Sequence, residues 1–226
     1  MCGGGTDGPF TVACNLRGTT QFCLDLYEDP RYARELLDFV TQATIVRIKA
    51  VMESNQTQFP LDGWGFADDS ISLLSEAQYR EFVLPHHHRL LAAFSKGGPN
   101  SIHLCGRVQH LLPLLQKELN IQDFDLGFPV DLARARRDLG PNALLRGNLH
   151  PMILRDGPVS LIQEKTAEIL RSGVAEGRRY CFCEGNNVAP RTPVEHFIAA
   201  YETVKELGVY LGSGPLIGQE KADLPP

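Results

Sequence analysis

The sequence carries no excess of positive charge: 22 Lys and Arg stand against 27 Asp and Glu, a formal net charge of −5. That balance gives no electrostatic basis for nucleic acid or an anionic membrane surface as a partner. No apolar run approaches the roughly 20 residues that a membrane span needs. The opening segment, residues 1–9, lacks the basic start and apolar centre of a secretory leader. Long linkers and low-complexity tracts are missing too, so a single domain over 1–226 is expected, with flexible ends at 1–8 and 212–226. The six cysteines do not fall into a zinc-finger or ribbon spacing. In a secreted protein they would allow three disulfides. In a 226-residue chain that is 43% hydrophobic, large enough for a real core, reduced thiols and a cytoplasmic location are expected instead.

What is present is an alternation of two periods. Residues 9–14 read as a strand. Asp29-Pro30 then opens a helix, with Asp as cap and Pro in the first turn. Its positions Leu36, Leu37, Val40, Ala43, Thr44 and Ile48 recur at helical spacing through Met52. Residues 59–67 form a poorer strand that ends in Asp68-Asp69-Ser70. Ser75 caps the next helix, with Tyr79, Phe82, Val83, Leu90, Leu91 and Phe94 as its buried stripe. Strands are then expected at 101–105, 123–128, 143–147 and 179–183. The helices that follow them span 108–119, 132–139, 159–170 and 193–207.

Six β-α units in succession specify parallel strands with helices outside. A doubly wound sheet and a (β/α)8 barrel both satisfy that pattern. Asp68/Asp69, His103/Cys105, Gly147-Asn148 and Cys183-Glu184-Gly185 fall at the carboxyl ends of successive strands, the rim that carries chemistry in barrels. No glycine-rich phosphate turn follows the first strand, as a doubly wound nucleotide-binding sheet often shows. The expected fold is therefore α/β, TIM-barrel-like and incomplete. Its unpaired edges would need a second copy or a complementing N-terminal chain as cover.

One rim spacing is chemically specific. Residues i and i+2 of a strand share a face, so His103 and Cys105 point the same way, as do Cys181 and Cys183. Converging nitrogen and sulfur donors suit a tetrahedral zinc with one open position; packed thiols and a hydrogen-bonded histidine are the plain alternative. Asp68-Asp69-Ser70 is either a rim site or a helix cap. Gly147-Asn148 and Gly185-Asn186-Asn187 read as tight strand exits, the second with amides able to meet an anion. His86-His87-His88 spread about 100° apart around a helix and cannot converge on one ion. Arg134-Ala-Arg-Arg137 reads as a solvated face.

Five segments then carry a resemblance in order along the chain: Gly8-Pro-Phe-Thr-Val-Ala13, Leu73-Leu-Ser-Glu-Ala-Gln-Tyr-Arg-Glu-Phe-Val-Leu-Pro85, Ile102-His-Leu-Cys-Gly106, Gly147-Asn-Leu-His-Pro151 and Ala189-Pro-Arg-Thr-Pro-Val-Glu195. They resemble the uroporphyrinogen decarboxylase superfamily, which includes the zinc- and corrinoid-dependent methyltransferases. The resemblance covers nearly the whole chain and implies that the N-terminal third of a typical member is absent. In the methyltransferase branch it implies a zinc held by His103, Cys105 and a further cysteine. That cysteine follows the glycine in the family, where this chain has Asn186, so Cys183 is the expected substitute and Cys181 the alternative. The decarboxylase branch carries Gly-His-Gly where this chain has Gly185-Asn186-Asn187, and its early aspartate and arginines have no match here.

The expectation is thus His103, Cys105 and Cys183 on the metal, Asp68 and Glu184 as catalytic or supporting carboxylates, and Asp69, Asn148, His150 and Asn186 facing substrate. His150 stands where the family more often has Asp. Zinc is the implied cofactor and a corrinoid the methyl carrier on a partner protein, with a small thiol as acceptor. The methyltransferase ranks first because His103-Leu-Cys-Gly106 belongs to that branch. A decarboxylase of tetrapyrrole (heme) synthesis ranks second, and a non-catalytic barrel remnant or binding module third.

Overall fold

The computed structural model describes residues 5–210 and Leu216. The expected flexible ends lie largely outside that range. Contacts divide the chain into two compact units, Met1–Gln122 and Asp123–Pro226. No helix among the described residues is long and apolar enough to cross a membrane.

The first unit opens differently from expectation. Residues 9–14 are not a strand but the start of helix α1, Pro9–Arg17. Pro9 supplies the fixed φ of a first turn, and the buried Phe10, Ala13 and Cys14 recur at i, i+3, i+4, a helical stripe that a short window hides. The extended pairing lies just upstream, where Asp7 bridges Ala67 in parallel. Helix α2, Thr19–Glu28, follows, and then α3, Pro30–Ser54. The Asp29 carboxylate caps α3 by accepting from the Tyr32 amide at 3.0 Å. Strand β1 is only Gly65–Ala67. Residues before it are drawn off into other pairings, the Leu61 amide to the Phe94 carbonyl and the Gly98 amide to the Asp62 carbonyl.

Ser75 and Gln78 form a reciprocal capping box at α4, Glu76–Gln78. A π-helical turn, Tyr79–Val83, links it to α5, Leu84–Phe94. Strand β2, Asn100–Leu104, pairs with β1 in parallel, Gly65 opposite Ser101 and Ala67 opposite His103. Ile102 and Leu104 are buried, while Ser101 and His103 show on the other face. Helix α6, Leu112–Leu119, closes the unit.

The unit boundary falls inside β3, Ile121–Leu126. In the second unit β3 pairs with β4, Leu144–Leu149, and β4 with β5, Tyr180–Glu184, both in parallel. Helices α7 (Leu132–Leu139), α8 (Pro151–Asp156), α9 (Val159–Arg171) and α10 (Val194–Leu207) alternate with them. Parallel strands and alternating helices are as the sequence indicated.

Arg136, on α7, is 2% exposed; burial lowers its pKa, and the Glu176 carboxylate partly opposes that shift. Its guanidinium donates to the carbonyls of Val174, Gly140, Ala143 and Arg179 at 2.7–2.8 Å, tying together backbone around α7 and the start of β5. Replacing it by Met removes the side-chain donors from all four, although the Arg179 carbonyl keeps the Leu145 amide, and urea unfolding of Arg136→Met is expected to show a loss of about 3 kcal/mol.

A second expectation concerns acid. Burial lowers the His86 pKa from 6.5 to about 4, with Asp38 partly opposing the shift. The unfolded chain takes up that proton below pH 6.5 while the folded protein does not, so stability falls between about pH 6.5 and 4. The loss is on the order of 3 kcal/mol at most. Unfolding midpoints of wild type and His86→Gln measured at pH 7 and 5 should converge as the pH drops, because the variant lacks this penalty.

Candidate metal centre

Parallel pairing of β1 with β2 sets the site. With Ala67 opposite His103, the residues just past each strand end, Asp69 and Cys105, come together. The Cys105 amide donates to Asp69 Oδ1 at 2.6 Å. Cys105 Sγ lies 3.4 Å from His103 Nε2, and that nitrogen lies 3.9 Å from Asp69 Oδ1. One donor atom each from Asp69, His103 and Cys105 falls within 4.8 Å of the others. Around a tetrahedral zinc with bonds of about 2.0–2.3 Å, neighbouring donors stand roughly 3.3–3.7 Å apart. The nitrogen–sulfur edge fits that tetrahedron as it stands, and the nitrogen–oxygen edge needs a small closure. All three side chains are half-buried, so the site is open to a further ligand.

The group brings together His103 and Cys105, two of the three residues expected on the metal, with Asp69 as its third member. Cys183 is not part of the group. Asp69, expected to face substrate, takes that place because it follows the strand hydrogen-bonded to β2. Cys183 sits on β5, where burial, with Asp125 as the next cause, pushes its thiol up to about 12. It therefore stays protonated near neutral pH.

Asp68, expected as a catalytic carboxylate, is fully buried. Its Oδ1 accepts from the Thr11 amide at 2.7 Å and the Thr11 hydroxyl at 2.6 Å. Its Oδ2 meets the Phe10 amide at 3.2 Å and His87 Nε2 at 2.8 Å. The carboxylate thus caps α1 from a distant strand, satisfying amides at a helix N-terminus where the dipole favours negative charge. Gly8 makes room for it: a Cβ there would come within 2.3 Å of Asp68 Oδ2.

The three consecutive histidines diverge, as their helical spacing requires. His86 Nδ1 lies 2.9 Å from the Thr41 hydroxyl, His87 joins Asp68 and Tyr79, and His88 is exposed.

The remaining expected residues lie in the second unit. Asn148 is buried, and its amide donates to the Val130 carbonyl at 2.7 Å and the Gly127 carbonyl at 3.3 Å, clamping the loop after β3. The preceding Gly147 has φ +120° and a Cβ would lie 2.1 Å from the Leu126 carbonyl oxygen, so only glycine fits. His150 caps α8, its Nδ1 accepting from the Met152 amide at 3.0 Å, and its ring lies against Phe128. Asn186 is exposed and its Oδ1 accepts from the Asn187 amide at 2.7 Å, the tight turn read from the sequence. Glu184, half-buried at the end of β5, lines a cavity of about 250 Å³ with Cys183, Phe182, Phe197 and Tyr201.

A family model described as uroporphyrinogen decarboxylase (URO-D) matches residues 1–207. The chain belongs to the URO-D family. A uroporphyrinogen decarboxylase from Anaeromyxobacter sp. (strain Fw109-5) is 31% identical over 87% of this chain and 56% of its own length. One from Nocardia farcinica (strain IFM 10152) is 32% identical over 80% and 51%. The URO-D chain thus spans about half the length of the curated relatives it matches. A methyltransferase from Methanosarcina mazei superposes with a TM-score of 0.68 at 22% identity, covering 89% of this chain and 57% of that one. This likeness establishes the TIM-barrel-like α/β fold.

Sequence reasoning missed His87, Tyr79 and Gly8. The readable signal was Gly8-Pro9 at a helix start with no Ser, Thr, Asp or Asn as N-cap: amides there must find an acceptor elsewhere, and a buried carboxylate is one. Gly8→Ala is expected to push Asp68 off α1 and lower stability by about 2–3 kcal/mol in denaturant unfolding, more than an ordinary surface glycine substitution costs.

Proposed function

We propose that this URO-D protein is a zinc-thiolate methyltransferase that moves a methyl group from a corrinoid, carried by a partner protein, to a small thiol. The gathering of Asp69, His103 and Cys105 donors at one strand end carries this reading. It is a mixed nitrogen, oxygen and sulfur set of the kind that suits zinc and leaves a position for substrate. When bound there, zinc supplies one thing, deprotonation of a coordinated thiol near neutral pH.

The chain's own residues do the rest. His103, on β2, and Cys105, the residue just past its end, bring Nε2 and Sγ to within 3.4 Å of one another. The Cys105 amide orients the Asp69 carboxylate, and the proton that the thiol sheds leaves to solvent, to which these half-buried side chains are open. In the transfer, the substrate sulfur gives its electron pair to the methyl carbon. A methylated corrinoid on the partner would supply that methyl group and would keep the electron pair of its cobalt–carbon bond, so no outside oxidant or reductant would be needed.

The decarboxylase reading is favoured by the names of the curated relatives, and the two readings separate cleanly in experiment. Metal analysis of purified protein should find about one zinc per chain. Cys105→Ser and Asp69→Asn should lose it or bind it at least ~10-fold more weakly, with methylation of a thiol by methylated corrinoid falling in parallel. Metal-free protein that consumes uroporphyrinogen would establish the decarboxylase instead. A folded protein with neither metal nor turnover would mark a binding module.

A further inference from the structure

Next to the donor group in sequence, through Asp68, lies a chain of buried side chains that are not part of it. Tyr79 Oη is 2.9 Å from His87 Nδ1, and His87 Nε2 is 2.8 Å from Asp68 Oδ2. His87 and Asp68 are both fully buried, and Tyr79 is fully buried as well. The Phe66 ring stands edge-on to the imidazole, with centroids 4.6 Å apart, and blocks its rotation. The Asp68 carboxylate can only accept, so Nε2 carries the proton of that bond, and Nδ1 meets the Tyr79 hydroxyl.

Asp68 is the residue immediately before Asp69. Its amide donates to the carbonyl of His103 at 3.3 Å, so its main chain is fixed to one donor residue and adjoins another. Three of the donors to its carboxylate come from the first turn of α1 and are local to one side. His87 is the donor from α5, and opposes them from another element.

We propose that His87, held by Tyr79 and acting through Asp68, is a positioning residue for the Asp69–Cys105 contact and hence for the donor group. Asp68 is gripped between α1 and α5, and this grip sets the direction in which the next residue projects its carboxylate toward the Cys105 amide. His87 and Tyr79 touch neither metal nor substrate. The proposal rests on the zinc reading only where metal affinity is measured; the contact that it predicts exists in the metal-free protein.

The test uses the whole chain and four proteins: wild type, His87→Gln, Tyr79→Phe and His86→Gln. His86→Gln is the control, since His86 is buried on the same helix and bonds Thr41 instead. In metal-free protein, hydrogen exchange of the Cys105 amide is measured against the slowest-exchanging amides, which report global opening. His87→Gln should speed Cys105 exchange about tenfold relative to that reference, Tyr79→Phe should do so by less, and His86→Gln should leave it unchanged. In parallel, zinc affinity by chelator competition should fall about tenfold in His87→Gln, with an altered absorption spectrum of the Co²⁺-substituted protein. An unchanged Cys105 rate in His87→Gln, or an equal rise in His86→Gln, overturns the proposal. If wild type takes no zinc while the exchange result holds, the metal reading fails and the positioning stands. Should His87→Gln not fold, Tyr79→Phe, which removes one hydroxyl, decides by the same comparison.

Discussion

The Asp68 carboxylate is the constraint on which the first unit depends. A fully buried carboxylate must find donors or be neutralised, and this one accepts from two α1 amides, a threonine hydroxyl and a histidine ring. In doing so it fixes three elements at once: the start of α1, the end of β1 and the middle of α5. Gly8 belongs to the same constraint, because a side chain there would occupy the carboxylate's place. Remove the negative charge and four donors lose their acceptor, so the parts are retained or lost together.

The donor group is a by-product of that order combined with parallel pairing. In parallel strands the register repeats without inversion, so residues equally far past the Ala67–His103 pair stay neighbours. Asp69 and Cys105 meet for that reason, although 36 residues separate them. The second unit uses the same physics for backbone instead of chemistry. Asn148 and Arg136 turn inward and satisfy carbonyls that loops leave unpaired, so a conspicuous asparagine at a rim and an arginine in a basic run both become structural.

Much of this was legible along the chain. The helix over 132–139 has the bounds that its periodicity indicated, the Asp29 and Ser75 caps are where their side chains suggested, and the His103 and Cys105 donor atoms lie together, although Cys105 falls just past the end of β2. The first segment was not legible as a helix, since six residues with alternating apolar positions satisfy both periods. Only the burial of Phe10, Ala13 and Cys14 on one side separates them. Asp69 and Asp68 were also indistinguishable, being adjacent and identical. One became a metal-donor candidate and the other a buried cap because the chain turns there from β1 into a 3-10 turn that Asp69 opens, so the Asp68 carboxylate meets the start of α1 while the Asp69 carboxylate meets the Cys105 amide.

By itself, then, the sequence determined the parallel α/β plan, the family and the pairing of an imidazole with a thiol at a strand end, all of which depend on local spacing and on order along the chain. Tertiary structure alone decided which carboxylate joins them, that His87 turns to Asp68 while His86 turns to Thr41, and that Gly8 must lack a side chain. These are contacts between residues tens of positions apart, and no local period encodes them, because they arise from how strands register and from which buried charge must be answered.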